Sequence, residues 1–454
     1  MKIIHFVADA LGDNSYLVVG NDAAAVVDPQ RDIRPYVRTA EEYQVPITHV
    51  FETHVHNDYI SGGPELSERG AAIYAPSGAN LEFPHTPVSE GDEVVFGGAR
   101  LRAIHAPGHT YEHTAYLAID ESGQVQGAFT GGALLMGAAG RSDLLGEDHT
   151  EELTRLQWES AQRIRQLLAP ESEVLPTHGA GSFCSSTGTP DDRRGPLSAE
   201  LERNPVLTSP GYEAFREVHL ASPGPIPTYY RYMAPINRRG PKIYGSPPVP
   251  DLLNPDQLIQ LAADGVSVVD VRNREDYARG HVPVAVGIEE SGSMLAYIGW
   301  LIPFNDPMAL VTYDETQGER VTGDLFRIGY EEVRGYLPHQ AWVEAGNELE
   351  DIEIVDADEA ARIIREGKLP VLDVRFGYEH AATPLPDVEE LPIDQLLAWA
   401  DQAPDDTALI ACGSGQRATM AASFLKQRGK KPIVLNQGGA DDVRQRLKSL
   451  AAQR

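Results

Sequence analysis

Cysteine is nearly absent from this chain of 454 residues: Cys184 and Cys412 are the only two, and they lie far apart in sequence. No disulfide framework can be built from such a pair, so a reducing compartment, the cytoplasm, is expected, and each thiol needs its own explanation. Positive charge is also scarce, with 38 Lys and Arg against 67 Asp and Glu and a formal net charge of -29. Nucleic acids and anionic membranes are bound by basic faces, so neither is an expected partner. The acidity reads instead as a well-solvated surface. Long apolar runs are missing too, and the opening MKIIHFVADALGDNSYLVVG has polar residues where a secretory leader needs an unbroken apolar stretch.

What is present is alternation. A chain of this length exceeds a single compact core, so two to four domains are expected. Up to about residue 235, short apolar runs such as AAAVVDP, ITHVFETH and LRAIHAPGHT alternate with helical stretches such as TEELTRLQWESAQRIRQLL, which predicts layered α/β structure. The segment 222–250, SPGPIPTYYRYMAPINRRGPKIYGSPPVP, is dense in proline and is the best candidate for a linker.

Beyond it the chain repeats itself. NPDQLIQLAADGVSVVDVRNREDYARGH is matched by DADEAARIIREGKLPVLDVRFGYEH, each a helix followed by a buried strand ending in Asp-Val-Arg. A second apolar run and another helix follow in both copies, the order of a parallel sheet with helices on its faces. The second copy then carries CGSGQRA. A cysteine leaving a strand into a glycine-rich loop that opens a helix sits where backbone N–H groups converge. Such donors favour a thiolate and can cradle a persulfide, while Arg417 closes the loop with a positive fork. VLDVR followed by CGSGQRA resembles the rhodanese family. The resemblance implies that Cys412 is the persulfide-carrying nucleophile, with Gly413, Ser414, Gly415 and Gln416 as its loop and Arg417 at the end. The first copy reads TYDETQGER there, with Asp314 near the cysteine position, and a carboxylate cannot carry sulfane sulfur. That copy is expected to be silent.

The first half carries ETHVHNDYISGG, HAPGHTYEHTAY, GAFTGGALLMGAAGRSDLLG and VLPTHGAGSFC. Two histidines at i and i+2 after a strand, joined by a third from PGHT, form a set of imidazole ligands. In this order the motifs resemble the metallo-β-lactamase fold, and within it the persulfide dioxygenase and glyoxalase II branch. By that resemblance His54, His56 and His109 are metal ligands, Asp58 and Tyr59 belong to a second site or substrate pocket, and His178 is the last histidine of the fold. The implied cofactor is one divalent ion, Fe(II) before Zn(II). Two departures bear on it. Tyr59 stands where the second site has a histidine, and a phenol ligates divalent metals poorly. Gly132 stands where the family reads Asp, which removes the usual carboxylate. His56 serving in its place, Asp58 turning inward, and a weak or empty site all stay open. Restoring Asp at position 132 is expected to strengthen metal binding.

The expected architecture is α/β: a metallo-β-lactamase αββα sandwich (1–235), then two doubly wound rhodanese-like domains, one without the cysteine (236–350) and one with it (351–454). The resemblance implies rhodanese sulfur transfer at Cys412 combined with oxidation of a thiol persulfide to sulfite. The expected partners are the persulfide of glutathione or another small thiol, or thiosulfate; homo-oligomerisation stays open. Cys184, six residues after His178, is either a second sulfur acceptor or a buried small residue. A mononuclear-metal hydrolase of thioester-like bonds and a metal-free persulfide-binding module are the alternatives.

Overall fold

Strand alternation assembles the first half of the chain into two six-stranded sheets. One runs in the order β1 (Lys2–Ala8), β2 (Asp13–Val19), β3 (Ala24–Val27), β4 (Ile47–Phe51), β5 (Ala72–Pro76) and β6 (Thr86–Val88). It is antiparallel from β1 to β3 and parallel from β3 to β6. The other comprises β7 (Glu93–Phe96), β8 (Ala99–His105), β9 (Thr114–Ile119), β10 (Val125–Gly131), β11 (Glu173–Pro176) and β12 (Gly195–Pro196), in the reverse order across the sheet. These elements come from a computed structural model that describes residues 1–179, 181–186, 191–221 and 224–452.

The two-residue period of a strand decides which side chains meet. Tyr16, Val18, Val27, Phe51, Leu101, Tyr116 and Phe129 fill the space between the sheets. Their neighbours Leu17, Val19, Val26 and Val50 point the other way, against Ile33, Tyr36 and Ala40 of the helical side. On the far sheet, Leu117, Ile119 and Val174 pack against Ala161 and Ile164 of the helix Glu147–Leu167. The layers are therefore α, β, β, α, as expected. Each buried Leu or Ile contributes about 1.5–3 kcal/mol to holding them together.

The second half forms two parallel sheets. The first contains β13 (Ser267–Asp270), β14 (Val286–Gly287), β15 (Met308–Thr312) and β16 (Val333–Pro338), in the order β14-β13-β15-β16. The next contains β17 (Glu353–Asp356), β18 (Val371–Asp373), β19 (Glu389–Glu390), β20 (Ala408–Ala411) and β21 (Pro432–Gln437), in the order β17-β21-β20-β18-β19. The repeated Asp-Val-Arg has one job in both. Arg272 binds the Asp270 carboxylate at 2.7 Å and the Gly280 carbonyl at 3.0 Å. Arg375 does the same with Asp373 at 2.6 Å and Thr383 at 3.0 Å. The chain divides into two compact units, Met1–Pro247 with Phe326–Gly329, and Pro248–Leu325 with Tyr330–Arg454. No helix among the described residues is long and apolar enough to cross a membrane.

The proline-rich segment 222–250, whose residues 222 and 223 lie outside the described residues, is more than a linker. It contains the helix Tyr230–Arg239 with Pro235 inside it. Pro235 sits on the exposed side, while Met233, Ala234 and Asn237 are buried. Packing of that apolar face outweighs the hydrogen bond the proline cannot make. Asn237 accepts from the Ser61 N–H at 2.9 Å and donates to the carbonyls of His56 at 2.9 Å and Tyr59 at 2.8 Å. The loop after β4 is thus fastened by a residue from the proline-rich segment. Replacing Asn237 with Ala leaves three backbone groups without partners and should lower stability by about 2–4 kcal/mol, read as a shift of the urea unfolding midpoint.

Candidate metal centre and sulfur cradle

Asp28 follows β3 in the left-handed region (φ +49°) and is fully buried. Its carboxylate accepts from the Thr53 N–H at 2.7 Å, from the Thr53 hydroxyl at 2.8 Å, and from the Thr177 hydroxyl. Thr53 and Thr177 immediately precede His54 and His178, so one carboxylate fixes both loops. Burial alone would raise the Asp28 pKa; the nearby His56 and these hydrogen bonds hold it below its ordinary value.

Three imidazoles then converge. Because the Thr53 hydroxyl gives its proton to Asp28, it accepts from His54 Nδ1 at 2.8 Å. His109 Nδ1 donates to the Arg141 carbonyl at 2.7 Å. His178 Nδ1 lies 2.9 Å from Asp13 Oδ1 and 3.1 Å from Asp58 Oδ2. Each Nδ1 is occupied, which leaves the Nε2 lone pairs free for a common guest. His54 Nε2 and His178 Nε2 are 3.4 Å apart, and His109 Nε2 is buried without a hydrogen-bond partner. Ligand atoms of His54, His109 and His178 all lie within 4.8 Å of one another. The set fits one divalent ion in an all-imidazole site.

The electrostatics agree. Burial and the neighbouring histidines push His54 well below the ordinary imidazole value and His109 down to about 3. Both therefore stay neutral, as a ligand must. At His178 burial works downward, yet Asp58 and Asp13 outweigh it and lift the pKa to about 10. The same two carboxylates favour positive charge at this place, as a proton or as a metal cation.

His56, expected among the ligands, stands outside this trio but belongs to two further groups of close ligand atoms, His56 with Asp58 and His178, and Asp28 with Glu52 and His56. Its Nε2 lies 3.3 Å from Asp28, 3.3 Å from Glu52 and 3.1 Å from the Tyr59 hydroxyl. Burial would lower its pKa, but Asp28 and Glu52 raise it to about 10. Carboxylates act on His178 in the same way, so protonation does not separate the two as ligands. Tyr59 is fully buried, stacks on His56 at 4.3 Å and donates to the Asp28 carbonyl at 3.3 Å. Burial and nearby carboxylates raise its pKa well above the ordinary phenol value, so it is a prop and not a phenolate ligand. Asp58 Oδ2 accepts from the Cys184 thiol at 3.4 Å. Burial first, then Asp58 and Asp13, push the Cys184 pKa well up, which keeps it a thiol and a poor sulfur nucleophile.

Gly132, in place of the usual carboxylate, is filled from outside. A Cβ there would lie 2.5 Å from His109 Cδ2 and 2.6 Å from Cγ. The His109 ring occupies that space, and the Gly132 N–H donates to His113 Nε2 at 2.9 Å. His113 is buried and stacks on His54 at 5.1 Å.

The second centre is built from backbone. Cys412 follows β20 and is fully buried; its Sγ accepts from the N–H groups of Gly415 at 3.1 Å and Ala418 at 3.4 Å. Gly415 adopts φ +87°, and a Cβ there would sit 2.0 Å from Asn436 Oδ1. Only glycine allows this turn, which aims the start of the helix Gln416–Gln427 at the sulfur. Arg417 pairs with Glu379 through both guanidinium nitrogens, one at 2.8 Å. Gln416 donates to Ser291 at 2.9 Å.

Comparison with known proteins matches residues 8–180 to the metallo-beta-lactamase superfamily and residues 254–337 and 356–445 to the rhodanese-like domain. This chain joins a metallo-β-lactamase-fold domain to two rhodanese-like domains. A hydroxyacylglutathione hydrolase of Gloeobacter violaceus is 38% identical over 115 residues, covering 24% of this chain and 45% of that protein. One of Rhodospirillum rubrum is 33% identical over 172 residues, 37% of this chain and 62% of that protein. The chain thus spans about half the length of the curated relatives it matches. The crystal structure of a metallo-beta-lactamase from Staphylococcus aureus subsp. aureus COL superposes with a TM-score of 0.65 at 27% identity, over 74% of this chain and 98% of that one.

The two rhodanese-like copies can be aligned by register. Asp270 pairs with Val311 and Asp373 with Ala411, so the residue opposite Cys412 is Thr312. Asp314, the expected counterpart, lies two residues further on, exposed, accepting from the Gln317 N–H at 2.9 Å as a helix cap. The correction leaves the first copy without a sulfur nucleophile. Asp28, Asp13 and His113 of the metallo-β-lactamase-fold domain were not legible as site residues. Their signals are slight: an Asp-Pro after a strand, an Asp opening a strand, and a histidine four residues after His109.

This geometry predicts that Ala at His54, His109 or His178 removes bound metal, measured by elemental analysis after dialysis. Gly132→Asp should not strengthen binding. It drives a side chain into the His109 ring, at a cost of about 1–3 kcal/mol, and should lower both metal content and melting temperature.

Proposed function

We propose that the protein handles sulfane sulfur: its second rhodanese-like domain carries it as a persulfide on Cys412, and its metallo-β-lactamase-fold domain oxidises a thiol persulfide to sulfite. The observation that carries this reading is the Cys412 cradle. Two backbone N–H groups and a helix start are directed at one buried sulfur, an arrangement suited to a thiolate and to the terminal sulfur of a persulfide. The proposed domain division is 1–235, 236–350 and 351–454, with the middle part silent because Thr312 replaces the nucleophile. A reducing cytoplasm suits two unpaired cysteines.

At the other site His54, His109 and His178 would hold one ion, with Fe(II) preferred over Zn(II); such an ion supplies O₂ and sulfur binding. The chain's own residues do the rest. Thr53, the Arg141 carbonyl, Asp13 and Asp58 fix the three imidazole rings, and Asp28 ties two of their loops together. The substrate class is the persulfide of glutathione or a similar small thiol, with thiosulfate as the other sulfur donor. Joining both sites in one chain keeps a reactive persulfide at high local concentration.

A second reading, hydrolysis of a thioester by metal-bound water, is favoured by the names of the hydroxyacylglutathione hydrolases the chain resembles. An oxygen electrode separates the two. With glutathione persulfide the first reading predicts one O₂ consumed per sulfite released; the second predicts thioester hydrolysis with no O₂ uptake. Cys412→Ser should abolish sulfur transfer from glutathione persulfide to an acceptor thiol, and Cys184→Ser should leave it. Unchanged transfer in Cys412→Ser would overturn the assignment.

A further inference from the structure

We infer that Glu379 sets the donor specificity of the Cys412 site, making it select an organic persulfide, with one negative charge at its reactive end, over the compact thiosulfate dianion. The inference rests on the sulfur-transfer reading of Cys412 and goes beyond it by choosing between the two donor classes. Arg417 is the cation that closes the loop, yet its charge is already spent on Glu379. The pair is bidentate, and the guanidinium lies over the Phe376 ring at 5.0 Å. Glu379 is itself held in place, because its Oε2 accepts from the Phe376 N–H at 3.1 Å. A Cβ on Gly413 would stand 3.3 Å from Arg417 Nη2 and 4.0 Å from Glu379 Oε1, so an anionic donor at this loop meets the guanidinium and its carboxylate together. Beside the loop, Ser291, Phe376 and Asn436 carry no charge, and Arg274, which donates to Asn436 at 2.9 Å, is itself paired with Glu289 at 3.0 Å.

What remains for an incoming anion is the backbone set, the Gly415 and Ala418 N–H groups and the helix start. These match about one negative charge. In transfer from a persulfide, the Cys412 thiolate forms a bond to the outer sulfur as the donor's S–S bond breaks, and the donor thiolate leaves with the electron pair. No net oxidation occurs. Thiosulfate would undergo the same exchange with sulfite leaving, but it brings a second negative charge beside Glu379 that no free cation answers. Tyr378, exposed and stacked on the buried Phe376 at 5.9 Å, offers the organic part of a persulfide a surface that thiosulfate cannot use.

The test measures kcat/KM of the full chain with glutathione persulfide and with thiosulfate, with the Cys412 persulfide followed by mass. In the parent, the persulfide should be preferred by at least about tenfold, or ~1.4 kcal/mol. Glu379→Gln frees Arg417 and should raise thiosulfate relative to persulfide by about tenfold, chiefly through a lower thiosulfate KM. That gain should shrink as salt is added. Glu379→Asp, which keeps the charge, should retain the parent's preference. A parent that uses both donors equally overturns the inference even if Glu379→Gln does not fold, and so does a preference unchanged in a folded Glu379→Gln. Transfer that survives Cys412→Ser would instead overturn the sulfur-transfer reading itself.

Discussion

A single buried carboxylate at the end of β3 holds the first site together. An unpaired carboxylate at that depth would be costly, and Asp28 escapes the penalty only because Thr53, Thr177 and His56 surround it. The same hydrogen bonds that satisfy it bring the loop after β4 to the loop after β11, two segments more than a hundred residues apart. The direction of the Thr53 hydroxyl proton then decides the tautomer of His54, so the anchor reaches the ligand atom through one intervening group. His56 balances the charge of Asp28 and Glu52, which in turn raise its pKa.

The layers of the fold were readable in the sequence because alternation is local: Tyr16 and Val18 face one way and Leu17 and Val19 the other, whatever the rest of the chain does. The repeat was readable for the same reason, since Asp-Val-Arg marks a strand end that recurs. His54 and His109 could be recognised from their own loops. The place of His178 in the trio could not, because its setting depends on Asp13, 165 positions away in sequence. The offset between Thr312 and Asp314 is visible only in strand register. The segment 222–250 misled through its prolines, because propensity carries no information about the buried Asn237 that the site needs.

The two centres use opposite means. The first gathers imidazoles and sets Asp13 and Asp58 behind one of them, His178, a place for positive charge. The second gathers N–H dipoles around a sulfur and neutralises its Arg with Glu379, a place for one negative charge. Under the proposed function a thiol persulfide, soft at sulfur and singly charged at its reactive end, would suit both.

The most direct test of this account is metal content per chain for protein purified without added metal, measured side by side for the parent and Asp28→Asn. The account predicts one ion per chain in the parent and its loss in the variant, although Asp28 is not among the three ligands. Two ions in the parent, or full retention in Asp28→Asn, would contradict it.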